Sequence, residues 1–264
     1  MTSETTLNFR VAIPARYAAT RFPGKPLIDL AGLPMIQRVY RQGVASGAEE
    51  VVIATDDERV RAVAEGFGAS VVMTATEHRT GTDRLAEMVD ILAWRDDQIV
   101  VNLQGDEPLM SPALIRQVAR GLEEHPDAGI ATVCHRLHSI QEVLDPNIVK
   151  VVMDAHGYAL YFSRAPIPYQ RDETFFKEHD QLPDKAYYFR HIGLYAYRVG
   201  VLRRYPKLAP CEIEQAEVLE QLRALWNGIR IHVQETLDIP PIGVDVPGDI
   251  ARVEAYLRRD SSAA

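Results

Sequence analysis

Three cations, Arg16, Arg21 and Lys25, share one loop in which no acidic residue occurs before Asp29. The loop follows a short apolar run, Val11 to Ile13, and is stiffened by Pro14 and Pro26. Open α/β sheets bind their ligands at the carboxyl ends of strands. Three uncompensated cations at such a place point to a polyanion, with a nucleoside triphosphate as the first candidate. The loop matches neither common phosphate fingerprint. Gly24-Lys25 is followed by Pro26 rather than Ser or Thr, and no G-x-G-x-x-G occurs, which argues against kinase-type and dinucleotide sites. Gly24 permits a left-handed turn or close backbone approach, and Lys25 supplies a mobile point charge.

Acidic residues complete this chemistry. Asp106, in Gln104-Gly105-Asp106-Glu107-Pro108, ends an apolar strand predicted over 98–103. Mg²⁺ takes one or two protein carboxylates and fills its octahedron with water and phosphate oxygens, which makes Asp106 the first candidate ligand. The competing reading has Asp106 and Glu107 capping a helix near Pro112. Asp245, in GVDVP, follows a second strand-like segment and precedes a helix begun at Pro247 or Gly248. Asp249 is the natural helix-start acid there, which leaves Asp245 without a local duty. Two Asp from separate strand ends are able to share one or two Mg²⁺ in a nucleotidyl-transfer site.

Other positions are ambiguous from spacing. Thr80 and Asp83 fit a T-x-x-D helix cap, while Gly81 and Arg84 are free to face a base or ribose. Arg164 ends a strand before Pro166, and His191, Gly193 and Tyr195 alternate on one strand face. Glu217 and Gln221 share a helix face, with Glu220 offset. Together they resemble a site for a polyhydroxylated acid. Each also has a bland reading, such as Glu220 pairing with Arg223, and spacing alone singles out none.

The elements that position these residues alternate. Strands are expected at 9–13, 50–54, 70–73, 98–103 and 128–133, with helices at about 34–46, 58–67, 82–94 and 112–124. This rhythm implies a mostly parallel sheet covered by helices. Short Val/Ile-rich strands are those of a sheet buried on both faces. A hairpin over 149–163, a polar loop at 170–187 and a strand at 190–197 break the rhythm. Helices at 199–204, 212–227 and 248–258 and a strand at 230–234 follow, and tails are expected at 1–8 and 260–264. The chain of 264 residues reads as one α/β domain with an inserted antiparallel element at roughly 140–210. A net charge of −8 disfavours a nucleic-acid surface. No apolar run approaches a membrane span, and Cys134 and Cys211 read as buried thiols of a reducing cytoplasm.

Seven stretches, IPARYAATRFPGKPL, HRTGTDRLAE, VNLQGDEPL, YALYFSRAPIP, FRHIGLYAYR, LEQLRALWNG and GVDVPGDI, together resemble the 3-deoxy-manno-octulosonate cytidylyltransferase family. They follow the family's order from residue 11 to about 258. Sialic-acid-activating relatives share the IPAR opening but not PGKP. The resemblance implies a Rossmann-like nucleotidyltransferase fold, a homodimer, and transfer of CMP from CTP to 3-deoxy-D-manno-octulosonate (Kdo) with Mg²⁺, for lipopolysaccharide synthesis. It implies that Arg16, Arg21 and Lys25 contact the triphosphate. Pro14, Ala15, the Thr80, Gly81 and Arg84 turn and Gln104 would frame the cytidine. Asp106 and Asp245 would hold magnesium, and Arg16, Lys25 and these two acids form the catalytic set. Arg164, His191, Tyr195, Glu220 and Gln221 would hold the sugar acid. Phe22 stands where Leu is usual, Cys211-Glu-Ile departs from the family's pattern, and 170–187 matches nothing in it.

Overall fold

The computed structural model describes residues 7–18, 22–171, 176, 181–183, 186–239 and 243–261. At its centre lies β1 (Arg10–Ala15), whose alternate residues enter different cores. Val11 and Ile13 join an apolar cluster with Val101, Leu114 and Val118. Ala12 joins another with Val100, Leu85, Met88 and Tyr197. Both faces are therefore covered, and the run carries no polar alternation. Burying a side chain such as Ile13 contributes about 1.5–3 kcal/mol.

To one side of β1 run β4 (Glu50–Thr55) and β5 (Ser70–Met73), both parallel to their neighbours. On the other side runs β6 (Ile99–Asn102), also parallel to β1. The small hairpin β2 (Asp29–Leu30) and β3 (Leu33–Pro34) forms a separate sheet. Helices α1 (Met35–Ala45), α2 (Glu58–Gly66), α3 (Gly81–Ile91) and α4 (Pro112–Glu123) connect and cover the strands. The chain thus leaves β1 in one direction and returns on its other side through β6, which opens a crevice at the carboxyl ends of these strands.

The antiparallel segment contains α5 (Ile140–Leu144), the hairpin β8 (Lys150–Met153) and β9 (Ala159–Ser163), and β10 (Phe189–Arg198). β10 inserts antiparallel between β6 and β7 (Ile130–Arg136), so the sheet order is β11-β7-β10-β6-β1-β4-β5, with β11 spanning Ile231–Glu235. Its register against β7 shifts between Ile192 and Tyr195. The Thr132 hydroxyl stands 2.8 Å from the Leu194 carbonyl and 3.0 Å from His191 Nε2, across this bulge. The mixed, mostly parallel, helix-covered sheet agrees with the expected fold class.

Helix α6 (Val199–Arg204) falls where the sequence places it. The helix expected over 212–227 is instead two, α7 (Glu212–Glu217) and α8 (Gln221–Trp226). Val218 breaks it with a left-handed backbone, φ 53°. Such a conformation is costly for a β-branched residue. The last helix, α9 (Asp249–Ser261), packs Val253 with Val244, Leu30, Met35 and Leu109. The expected tail at 260–264 is thus helical through Ser261, while residues 1–6 and most of 172–185 lie outside the described residues.

Candidate active site

The crevice is built by three chain segments. Gly24 takes φ 75° and its N–H donates to the Tyr17 carbonyl at 2.8 Å, which folds the basic loop back on itself. The short 3-10 turn Lys25–Leu27 then aims Lys25 inward. Behind it, the segment after β6 is pressed against β1: a Cβ on Gly105 would come within 2.7 Å of the Pro14 carbonyl, so only glycine fits there. The third segment is pulled in from the C-terminus, where the Val244 N–H donates to the Asp106 carbonyl at 3.0 Å.

These segments bring Lys25 Nζ to 2.7 Å from Asp106 Oδ2 and 3.8 Å from Asp245 Oδ1. Two carboxylates from distant loops therefore face one point at which a cation already stands. Asp245 is held by its backbone, since its N–H and that of Val246 both donate to Asp249 Oδ2, at 2.9 and 3.0 Å. Burial, then the charges of Asp106 and Asp245, push the Glu107 carboxyl up to about 8. Two carboxylates face a single lysine there, an excess of negative charge that suits a divalent ion. Among the described residues no set of three or more His, Cys, Asp or Glu side chains converges on a metal site. Two carboxylates with the remaining positions left to water and phosphate is the arrangement Mg²⁺ accepts.

A cleft of about 430 Å³ opens beside this point, lined by Pro14, Ala15, Arg16, Lys25, Arg79, Gly81, Gln104 and Asp106. Arg16 Nη2 is buried there without a hydrogen-bond partner. Burial first, then the neighbouring Arg84, lower the Arg16 pKa. An unpaired guanidinium N–H in a basic cleft is a waiting donor for an anion. Gln104 also lines a second, smaller pocket with Thr82, Asn102, Tyr195, Tyr197, Tyr205, Glu220 and Gln221. Within it burial raises the Glu220 carboxyl and the Tyr195 phenol above their usual ranges. His191, whose ring centroid lies 5.3 Å from that of Tyr195, is pushed down to about 3 by burial and Arg190. The site thus joins a cationic cleft to a small, hydroxyl-rich pocket.

Comparison with known proteins gives the family of the whole chain. A family model described as "Cytidylyltransferase" matches residues 11–231. A relative from Thioalkalivibrio sulfidiphilus named 3-deoxy-manno-octulosonate cytidylyltransferase is 56% identical over 252 residues, 96% of this chain and 100% of that protein. Its namesake from Nitrosococcus oceani is 52% identical, covering 95% of this chain and 97% of that one. A solved structure of CMP:2-keto-3-deoxy-manno-octonic acid synthetase complexed with CTP aligns with a TM-score of 0.85 at 41% identity, covering 96% of this chain and 99% of that one. The chain belongs to the 3-deoxy-manno-octulosonate cytidylyltransferase family.

Within that family frame, the structure sorts the expected residues. Pro14, Ala15, Arg16, Lys25, Gly81, Gln104 and Asp106 line the cleft, and Asp245 joins through Lys25. Arg21 lies outside the described residues. Arg84 does not reach the cleft surface: it is 0% exposed, paired with Asp56 at 2.7 Å and bonded to Thr74. Thr80 and Asp83 form the capping box at the start of α3. Tyr195, Glu220 and Gln221 share the small pocket, with the His191 ring tilted against Tyr195 beside it. Arg164 is not among its lining residues; its guanidinium donates to the Glu217 and Pro146 carbonyls.

Two bland readings fail, and one expectation about Asp245 is corrected. Ser111 caps α4, which frees Asp106 and Glu107 from that role. Arg223 pairs with Glu214 at 2.8 Å, not with Glu220. Gly243 to Asp245 is irregular chain, so the acid sits on a loop stitched to the QGDEP turn and not on a strand end. Sequence reasoning missed Arg79, Thr82, Asn102, Tyr197 and Tyr205. Tyr197 was readable, because it follows Tyr195 by one strand period.

Proposed function

We propose that the chain transfers the cytidylyl group of CTP to the anomeric hydroxyl of Kdo, giving CMP-Kdo and pyrophosphate. The observation that carries the reading is the meeting of Lys25, Asp106 and Asp245 at one end of a cationic cleft. The sugar hydroxyl oxygen bonds to the α-phosphorus, the bond from that phosphorus to the bridging oxygen breaks, and the hydroxyl proton passes to solvent. Arg16 and Lys25 neutralise the charge that grows on the departing pyrophosphate. Gln104 and the Gly81 turn frame the cytidine. The small pocket, with Tyr195, Glu220 and Gln221, orients the polyhydroxylated acid so that its hydroxyl approaches in line. Asp106 and Asp245 would hold Mg²⁺, which when bound lowers the pKa of the attacking hydroxyl and polarises the phosphate.

The activated sugar would feed lipopolysaccharide synthesis from the cytoplasm. Among the described residues no helix is long and apolar enough to cross a membrane, and Cys134 and Cys211 are buried free thiols. The chain would work as a homodimer. A groove whose accessible lining includes Val152, Met153, Pro168 and the exposed Tyr187 supports this, and sedimentation at the mass of one 29.6 kDa chain would refute it.

The deciding experiment is pyrophosphate release from CTP with Mg²⁺, in the presence and absence of Kdo. Release only with Kdo is expected; CTP binding without release would leave a nucleotide-sensing module. Asp106→Asn should lower turnover by a factor on the order of 100 or more with an unchanged circular-dichroism spectrum. Near-normal turnover in that variant would remove Asp106 from the mechanism.

A further inference from the structure

Lys150 is 0% exposed, and no carboxylate pairs with it among the described residues. A buried ammonium is costly unless its hydrogen bonds are fully met. Here they are met by main chain alone. Nζ donates to the carbonyls of Asp145 at 2.9 Å, Ile148 at 2.6 Å and Arg164 at 2.6 Å. Three donors diverging from one atom suit three carbonyls converging from two loops, a job that the planar arginine fork cannot copy.

The carbonyl of Arg164 leads on to the small pocket. The Arg164 N–H donates to Glu217 Oε2 at 2.9 Å, and its Nε to the Glu217 carbonyl at 2.8 Å. The Ser163 hydroxyl donates to Glu217 Oε1 at 2.6 Å. Glu217 is the last residue of α7, immediately before the left-handed Val218. On the far side of that break, the Tyr205 hydroxyl donates to the Glu220 carbonyl at 2.7 Å. The junction that presents Glu220 and Gln221 to the pocket is thus gripped at both ends, and one grip is anchored on Lys150.

We propose that Lys150 is a positioning residue for the sugar acid, holding Arg164 and the α7–α8 junction in the shape that the pocket requires. The assignment rests on the reading of that pocket as the sugar site. It separates the two substrates: the lining of the nucleotide cleft includes no residue from 145–164 or 212–226, so loss of Lys150 falls mainly on the sugar.

The test is steady-state pyrophosphate release by Lys150→Met and Lys150→Arg, with each substrate varied in turn, together with calorimetric CTP binding and thermal unfolding. Lys150→Met keeps the length and apolar stem but leaves three carbonyls unpaired. The KM for Kdo should rise about tenfold or more, while the KM and Kd for CTP stay within about twofold. Arginine should not rescue. Should Lys150→Met fail to fold, Glu217→Gln reads the same link, because it replaces the carboxylate that accepts from Arg164 and Ser163; a several-fold rise in the Kdo KM alone is expected. Equal losses on both substrates, or an unchanged KM for Kdo in a folded variant, would overturn the proposal. A wild-type chain inactive with Kdo would instead overturn the sugar-site reading and take the proposal with it.

Discussion

At the scale of single residues, Arg79 shows what an unassigned charge is worth. It lines the cleft with Arg16 and Lys25, is exposed, and has no carboxylate partner among the described residues. The segment before it is pinned to α3, because His78 meets Glu87 at 2.5 Å and the Ala75 N–H donates to the same carboxylate at 2.8 Å. Arg79→Ala should raise the KM for CTP about three- to tenfold with little change in kcat, and more at low than at high salt. Kinetics at two ionic strengths check this; a salt-independent effect would deny Arg79 a phosphate role. The basic loop was legible in sequence because its charge stands against an acidic whole. Arg84 was misread for the opposite reason. Its partners Asp56 and Thr74 come from other strand ends, and only folding brings them close enough to bury a cation completely.

Elements were legible where the local pattern and the tertiary packing agree. Strand β5 and helix α6 fall on their expected residues, and α4 carries Leu114, Ile115, Val118 and Leu122 along one buried stripe. The continuous helix over 212–227 was expected because EQAEVLEQLRALW favours helix throughout. Nothing local announces Val218, which is 75% exposed and held left-handed by contacts on either side of it. Val218→Gly should relieve that strain and raise stability by about 1 kcal/mol in urea unfolding, since little packing is lost. A lower midpoint would show that the bend is not strained. A second element-scale device joins α4 to β11. The rings of His125 and His232 stack 3.4 Å apart, and burial and then His125 push His232 down to about 4. Its Nδ1 is buried without a partner. The folded state favours neutral His232, so this contribution to stability is present above the unfolded pKa near 6.5 and is lost as pH falls towards 4, up to on the order of 3 kcal/mol. Urea midpoints at pH 7, 6, 5 and 4 should fall more steeply for wild type than for His232→Phe. Parallel curves would place the acid sensitivity elsewhere.

At the scale of the whole molecule, the alternating pattern gave the sheet class but not its closure. Hydrophobic periodicity cannot say that β10 enters antiparallel between β6 and β7, because a strand buried on both faces looks alike in either direction. Nor could it say how residue 245 reaches residue 106. The structure does this by docking α9 on the β2–β3 hairpin through Val253, Leu30, Met35 and Val244, with Glu254 accepting from the Ala31 N–H at 3.2 Å. The docked helix then offers Asp249, whose carboxylate is held below its usual range by the backbone N–H groups of Val246 and Asp245. Through Asp249 the last helix therefore holds Asp245 towards Lys25, more than two hundred residues away in sequence. Asp249→Ala removes an acceptor serving two N–H groups and should cost about 1–3 kcal/mol of stability. Its larger consequence is for Asp245, which loses its backbone anchor: on the proposed magnesium role of Asp245, turnover should fall about tenfold and the Mg²⁺ concentration for half-maximal rate should rise, while CTP affinity measured without metal stays unchanged. A variant that loses stability but keeps its Mg²⁺ dependence would show that Asp249 only starts the helix, and that Asp245 is aimed by the stitch between Val244 and Asp106 alone.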